Sequence, residues 1–298
     1  MSGMQCKAHE SSPWQVFFQV PWGRFEQGGI SKLETVGGYA GVMNILNRTG
    51  EAISSIEQWT PPKKKIHWKP GRSAMELARA WCPASGPACP ADIATLLSSH
   101  DWTRNIQIEE TRPEHVTPLP ERGEGRNHDL WAKCSVDGRP FTLCIEAKAD
   151  EPFGETIGDT CASALKRSEA TGGVRRARAL LHMVFGTEAE PDREPYASLR
   201  YQLLTAAAGT ALQSRADGAL TAALVIHEFQ GASTSAPLLQ RNAEDLAVFL
   251  KVLNGGEEVA LTQGRFAGPW AVRAGSAADS VVIQLLVGKV VTRLSESL

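Results

Sequence analysis

The sequence predicts an α/β sandwich, and three observations carry the prediction. The chain has 298 residues, 42% hydrophobic and 21% charged, the mix of a globular protein large enough to bury a core without disulfides or metal staples. Its periodicities run as helices, then a cluster of strands, then helix, strand, helix and strand, an order that packs helices against a sheet. Finally, Asp137-Gly138 stands between two extended runs, the strongest short-range signal for a two-residue β-hairpin.

Residues 1–60 read as a partly irregular N-terminal extension, punctuated by Gly28-Gly29, Gly37-Gly38 and Gly41, with a short helix over 41–46. The stretch 59–71, rich in Pro and Lys, reads as an extended connector, and 61–298 as the main domain. A helix starts at Ser73, an N-cap with Glu76 three residues on, and Met75, Leu77, Ala78 and Trp81 form its apolar stripe. A second helix covers 91–100. Residues 106–119 alternate as a strand or two around Pro113. Helices are expected over 159–169, 174–185 and 199–214, and a buried strand over 219–229. Asn242 reads as the cap of a helix that reaches Leu253 and stops at Gly255, and a last strand covers 280–291.

Composition excludes several classes. The six cysteines are too few and scattered for a disulfide scaffold. The pair Cys82 and Cys89 has six residues between, wider than zinc spacing, and reads as a Pro/Gly loop. The formal net charge of -2 gives no global attraction to nucleic acid, so such a partner would need local basic patches. Residues 1–10 lack the charged and apolar regions of a secretory signal, and no apolar run approaches the ~20 residues that span a bilayer. A cytoplasmic location and no membrane partner are expected. Gly-X-Ser-X-Gly, Gly-Lys-Ser and paired metal histidines are all missing from the sequence.

The chemistry concentrates in the hairpin. A two-residue turn pairs Val136 with Arg139, Cys134 with Phe141, Ala132 with Leu143 and Leu130 with Ile145, all on one apolar face. The other face runs through Trp131 and Cys144 and ends with Asp129 opposite Glu146, with Lys148 two residues on. Carboxylates about 5 Å apart across a ladder repel, and a divalent cation relieves the repulsion. Mg²⁺ prefers such oxygen ligands and leaves room for water and phosphate oxygens. A neighbouring lysine can orient or deprotonate the attacking water, or stabilise the charge on the phosphorane.

Asp129 followed after sixteen residues by Cys-Ile-Glu146-Ala-Lys148 resembles the PD-(D/E)XK, or restriction-endonuclease-like, nuclease superfamily. The phrases from Gly125 to Trp131 and from Glu146 to Gly154 are similar to an uncharacterised bacterial subgroup. The resemblance covers roughly residues 70–230. It implies a three-layer sandwich with a central mixed sheet, a metal-dependent nuclease activity, and Mg with Mn able to substitute. Asp129, Glu146 and the Ala147 carbonyl would hold the metal, and Lys148 would serve the water. Glu76, on the first helix, and Gln202, on a later one, stand where some members add a residue. No proline precedes Asp129; His128 stands there instead.

Simpler readings accompany each residue. Lys148 could merely neutralise Glu146 on a ladder, Glu76 completes a capping box, Gln202 could solvate a helix face, and Asp150-Glu151-Pro152 reads as a turn. Lys63-Lys64-Lys65, with Trp59 and Trp68 nearby, and Arg175, Arg176 and Arg178 are candidate phosphate contacts, although charge runs are usually solvated faces. The expected partner is nucleic acid, DNA over RNA, cut by a monomer or a homodimer. The alternatives are a catalytically inactive nucleic-acid-binding module of the same fold, and an unrelated α/β protein.

Overall fold

The structure is a computed structural model that describes residues 43–59, 68–167, 172–232, 234–276 and 278–294. Helices α1 (Ser73–Trp81) and α2 (Ala91–Ser98) lead into a meander of β1 (Ile106–Thr117), β2 (Arg126–Val136) and β3 (Arg139–Lys148). Three helices follow, α3 (Ile157–Arg167), α4 (Gly172–Phe185) and α5 (Tyr201–Ala216). The chain then continues through β4 (Thr221–Gln230), α6 (Ala236–Leu253), β5 (Phe266–Ser276) and β6 (Asp279–Arg293). The strands form one six-stranded sheet in the order β1-β2-β3-β4-β6-β5. β4 runs parallel to both β3 and β6, and the other pairings are antiparallel.

Side chains alternate across the sheet, and each face has its own helical cover. Leu224 and Ile226 of β4 pack with α3, α4, α5 and α6. Ala223 and Val225 pack with α1, α2 and Met43, Ile45, Ile53 and Trp59. Residues 43–59, which the sequence grouped with the extension, therefore contribute core side chains; in place of the helix expected over 41–46, residues 43–46 are extended, with Ile45 bridging Thr111 of β1 and Leu46 bridging Ala52. Residues 39–298 form one compact unit. No helix among the described residues is long and apolar enough to cross a membrane.

The hairpin register follows its turn. Asp137 and Gly138 both have positive φ, 50° and 76°, the two-residue geometry that matches strand twist. Val136 pairs with Arg139, and the ladder walks back to Leu130 with Ile145 as expected.

Three further elements differ from expectation. Helix α6 begins at Ala236, with Ser235 at the cap position and a proline in its first turn. Asn242 therefore lies inside the helix, where it is buried and donates to the Glu151 carbonyl at 3.1 Å; a tertiary partner overrides its preference for caps. Strand β5 was not anticipated, because Gly268 and Pro269 interrupt its pattern. It survives as an edge strand, where a proline costs no ladder bond, with a bulge between Ala267 and Trp270. At α1, Arg72 rather than Ser73 occupies the cap position.

Candidate functional site

The β1–β2 ladder is irregular twice, at a bulge between Ile108 and Glu110 and again at Glu114, and the second irregularity shapes the site. The ladder pairs Pro113 with Leu130 and His115 with His128, skipping the step that would join Glu114 to Asp129. Glu114 sits there with φ 53°, a left-handed conformation rare for a residue with a side chain. Alternation breaks at this point. Leu130 belongs to the α1–α2 core, yet His128 lies against the Cys144 thiol, and His115 stacks on Trp131 at 4.5 Å. Residues 126 and 128 are thereby turned toward α5, the face that carries Glu146.

The β2–β3 ladder ends one pair short of Asp129 and Glu146. The predicted head-on pair of carboxylates is replaced by a capping arrangement: Asp129 Oδ2 accepts the Ala147 N–H at 2.7 Å. Where the strands part, the carboxylate stands in for a lost ladder acceptor.

Glu146 is only 1% exposed and is the hub. Its Oε1 accepts from Lys148 Nζ and from Gln202 Nε2 of α5, each at 2.6 Å. Its Oε2 accepts from Arg126 Nη2. Arg126 also donates to the Thr205 hydroxyl at 3.3 Å. Lys148 donates to the Ala147 carbonyl at 3.3 Å and lies over the Phe153 ring, 5.1 Å from its centroid. Across the β3–β4 ladder it registers with Glu228, whose carboxylate is held by Lys289 at 3.0 Å and Gln230 at 2.6 Å.

Burial and charge act together here. Burial pulls the Lys148 ammonium below its ordinary value, while Asp129 and Glu151 oppose the shift. Burial, then the negative charge of Asp129, pushes the Glu114 carboxyl up to about 7, although Asn127 hydrogen-bonds it and Arg48 lies 3.8 Å away. Burial also holds His128 well below the usual histidine range, so it is neutral.

Of the residues singled out from sequence, Asp129, Glu146, Ala147, Lys148 and Gln202 come together. Glu76 is employed otherwise: it accepts the Gly71 N–H at 2.8 Å and Arg79 at 2.9 Å, fixing the start of α1. Arg176 donates to the carbonyls of Pro120, Glu121 and Glu124, and Arg175 pairs with Glu121 at 3.1 Å, so α4 anchors the loop before β2. Lys63, Lys64 and Lys65 lie outside the described residues. Arg126 and Glu114 were missed. An unbroken alternation puts Arg126 on the face opposite Glu146, and nothing in the residue types announces a left-handed glutamate at 114. Surface clefts of about 450 Å³ open elsewhere, one lined by Arg178, Glu190 and Asp192, another by Ser55, Glu57 and Arg79.

The fold and site thus define an α/β protein with a buried cluster of carboxylates and cations at the end of β3. The chain belongs to the family described as "Domain of unknown function (DUF6946)", which matches residues 51–292. No curated protein and no solved structure matches it.

Proposed function

We propose that this chain is a divalent-metal-dependent phosphodiester hydrolase of the PD-(D/E)XK type, acting on DNA or RNA. The observation that carries the reading is the convergence of Asp129 from β2 with Glu146 and Lys148 from β3 beside Gln202 of α5. The order helix, hairpin, helix, parallel strand, with the acidic pair at the hairpin's open end, supports a restriction-endonuclease-like arrangement.

The donors fit a hard cation. Asp129, Glu146 and the Ala147 carbonyl offer oxygen only, as Mg²⁺ or Mn²⁺ prefers. When bound, such an ion polarises a phosphoryl oxygen and lowers the pKa of water. Asp129 and Glu146 would hold the ion. Lys148, whose ammonium carries three donors, has two engaged by Glu146 and the Ala147 carbonyl, leaving one for the attacking water or a phosphate oxygen. Its lowered pKa brings it closer to the poise of a proton acceptor. Gln202 orients Glu146. The exposed side of Arg175 and the basic run 63–65 are the proposed backbone contacts.

One observation favours a second reading, a non-catalytic nucleic-acid-binding module. Glu146 already has both oxygens satisfied within the protein.

A cleavage assay on pooled single- and double-stranded DNA and RNA, with Mg²⁺, Mn²⁺ or EDTA, separates the two. Wild type should cleave with either metal and stop in EDTA. Asp129→Asn, which can still accept the Ala147 N–H, and Lys148→Met should each lose roughly 10²-fold or more. Binding without turnover by wild type would select the module, and cleavage persisting in both variants would remove the proposal.

A further inference from the structure

We infer that Arg126 is an internal competitor for the cation site, holding Glu146 until an anionic ligand takes over the guanidinium, so that metal and phosphodiester load together. The inference rests on the metal-dependent reading above and adds its regulation.

Glu146 has no idle oxygen. Lys148 and Gln202 fill Oε1, and Arg126 holds Oε2. A divalent cation must take one of these lone pairs against a guanidinium charge already beside it, in a site where screening by water is weak. In the hydrogen-bonded cluster the carboxylates of Asp129 and Glu146 face two cations, Arg126 and Lys148, on which Glu114 and Glu151 also act. A bare ion adds two positive charges, and a phosphodiester arriving with it offsets one of them.

The position of Arg126 is built into the fold. A Cβ on Gly209 of α5 would lie 2.7 Å from Arg126 Cγ and 3.0 Å from its Cβ. The helix is notched where the arginine stem passes.

The guanidinium is also only half used. The edge formed by Nε and Nη2 is the fork that grips two oxygens of one carboxylate or phosphate. Here Nη2 meets Glu146 Oε2, while Nε is buried with no partner among the described residues. Glu146 cannot fill the second prong, because its other oxygen is held by Lys148 and Gln202. An orphaned buried donor is costly. A phosphate group would satisfy both prongs, which gives the exchange a driving force. By linkage, each ligand must then tighten the other equally.

The test titrates Mn²⁺ calorimetrically into the full chain, alone and with a short phosphorothioate oligodeoxynucleotide. In wild type the oligonucleotide should tighten Mn²⁺ binding by roughly 5- to 150-fold, the usual span of coupled sites. Arg126→Met should bind Mn²⁺ tightly alone and lose the coupling. Arg126→Gln, which removes the charge but keeps a polar side chain, gives the same comparison if the methionine variant does not fold. Variants that bind Mn²⁺ no tighter than wild type, with coupling intact, overturn the role of Arg126. If instead Glu146→Gln binds Mn²⁺ as well as wild type does, or no protein binds it with or without oligonucleotide, the metal-dependent reading itself fails and takes this inference with it.

Discussion

Replacing Glu146 by alanine tests whether the cluster is held by charge. Glu146 is the shared counter-ion of two buried cations, Lys148 at 3% exposure and Arg126 at 8%. Removing one partner of a buried ion pair costs about 3–5 kcal/mol, because the remaining charge is stranded. Asp129 still attracts both cations, which argues for the lower half of that range. Lys148 also has an escape, since it can give up its proton. Its folded pKa already lies below 10.5 through burial, and losing Glu146 moves it lower still. The unfolded chain then binds more protons than the folded one, so stability rises with pH until the unfolded value is reached. Urea unfolding in EDTA, followed by tryptophan fluorescence, should show a deficit that shrinks as pH rises toward 10.5. A variant within about 1 kcal/mol of wild type, or a deficit that grows with pH, would refute the counter-ion argument.

The other predictions concern neighbouring groups. Glu114, with its carboxyl at about 7 against 4.5 in the unfolded chain, stabilises the fold below about pH 4.5, and that contribution is lost as pH rises through about 7. Glu114→Gln should therefore flatten the stability–pH curve and gain about 1–3 kcal/mol over wild type near pH 8 by denaturant titration. Asp217→Ala strands three donors, Trp131 Nε1 at 3.0 Å, the Thr142 hydroxyl at 2.6 Å and Gln213 Nε2 at 2.8 Å. It should cost about 1–3 kcal/mol while leaving Mn²⁺ affinity unchanged. Arg176→Ala unhooks the 120–124 loop and should speed its amide exchange, whereas Arg175→Ala should change stability by less than about 0.5 kcal/mol and weaken oligonucleotide binding.

What could be read from sequence followed from local rules. The Asp-Gly turn set the β2–β3 register, and alternation then put Leu130, Ala132 and Cys134 in one core and Glu146 and Lys148 on the opposite face. Gln202 was reachable only through the resemblance, which expects a polar residue on a later helix; α5 brings it to Glu146 at 2.6 Å. Arg126 was not legible, since a glutamate at φ 53° breaks the alternation on which every face assignment in β1 and β2 depends. Asp129 lost its predicted partner for the same reason, as its strand leaves the ladder where Glu114 turns. Glu76 was legible in two ways; its bonds to Gly71 and Arg79 hold the start of α1, but without the expected capping box, since Arg72 takes the cap position.

Crystals grown with a short phosphorothioate oligodeoxynucleotide and soaked in millimolar manganese, with anomalous scattering collected at the metal edge, test the central claim most directly. The account predicts a peak about 2.0–2.2 Å from oxygens of Asp129, Glu146 and Ala147, with the Arg126 guanidinium turned away from Glu146. Density with Arg126 still on Glu146, and no peak beside Asp129, would contradict it.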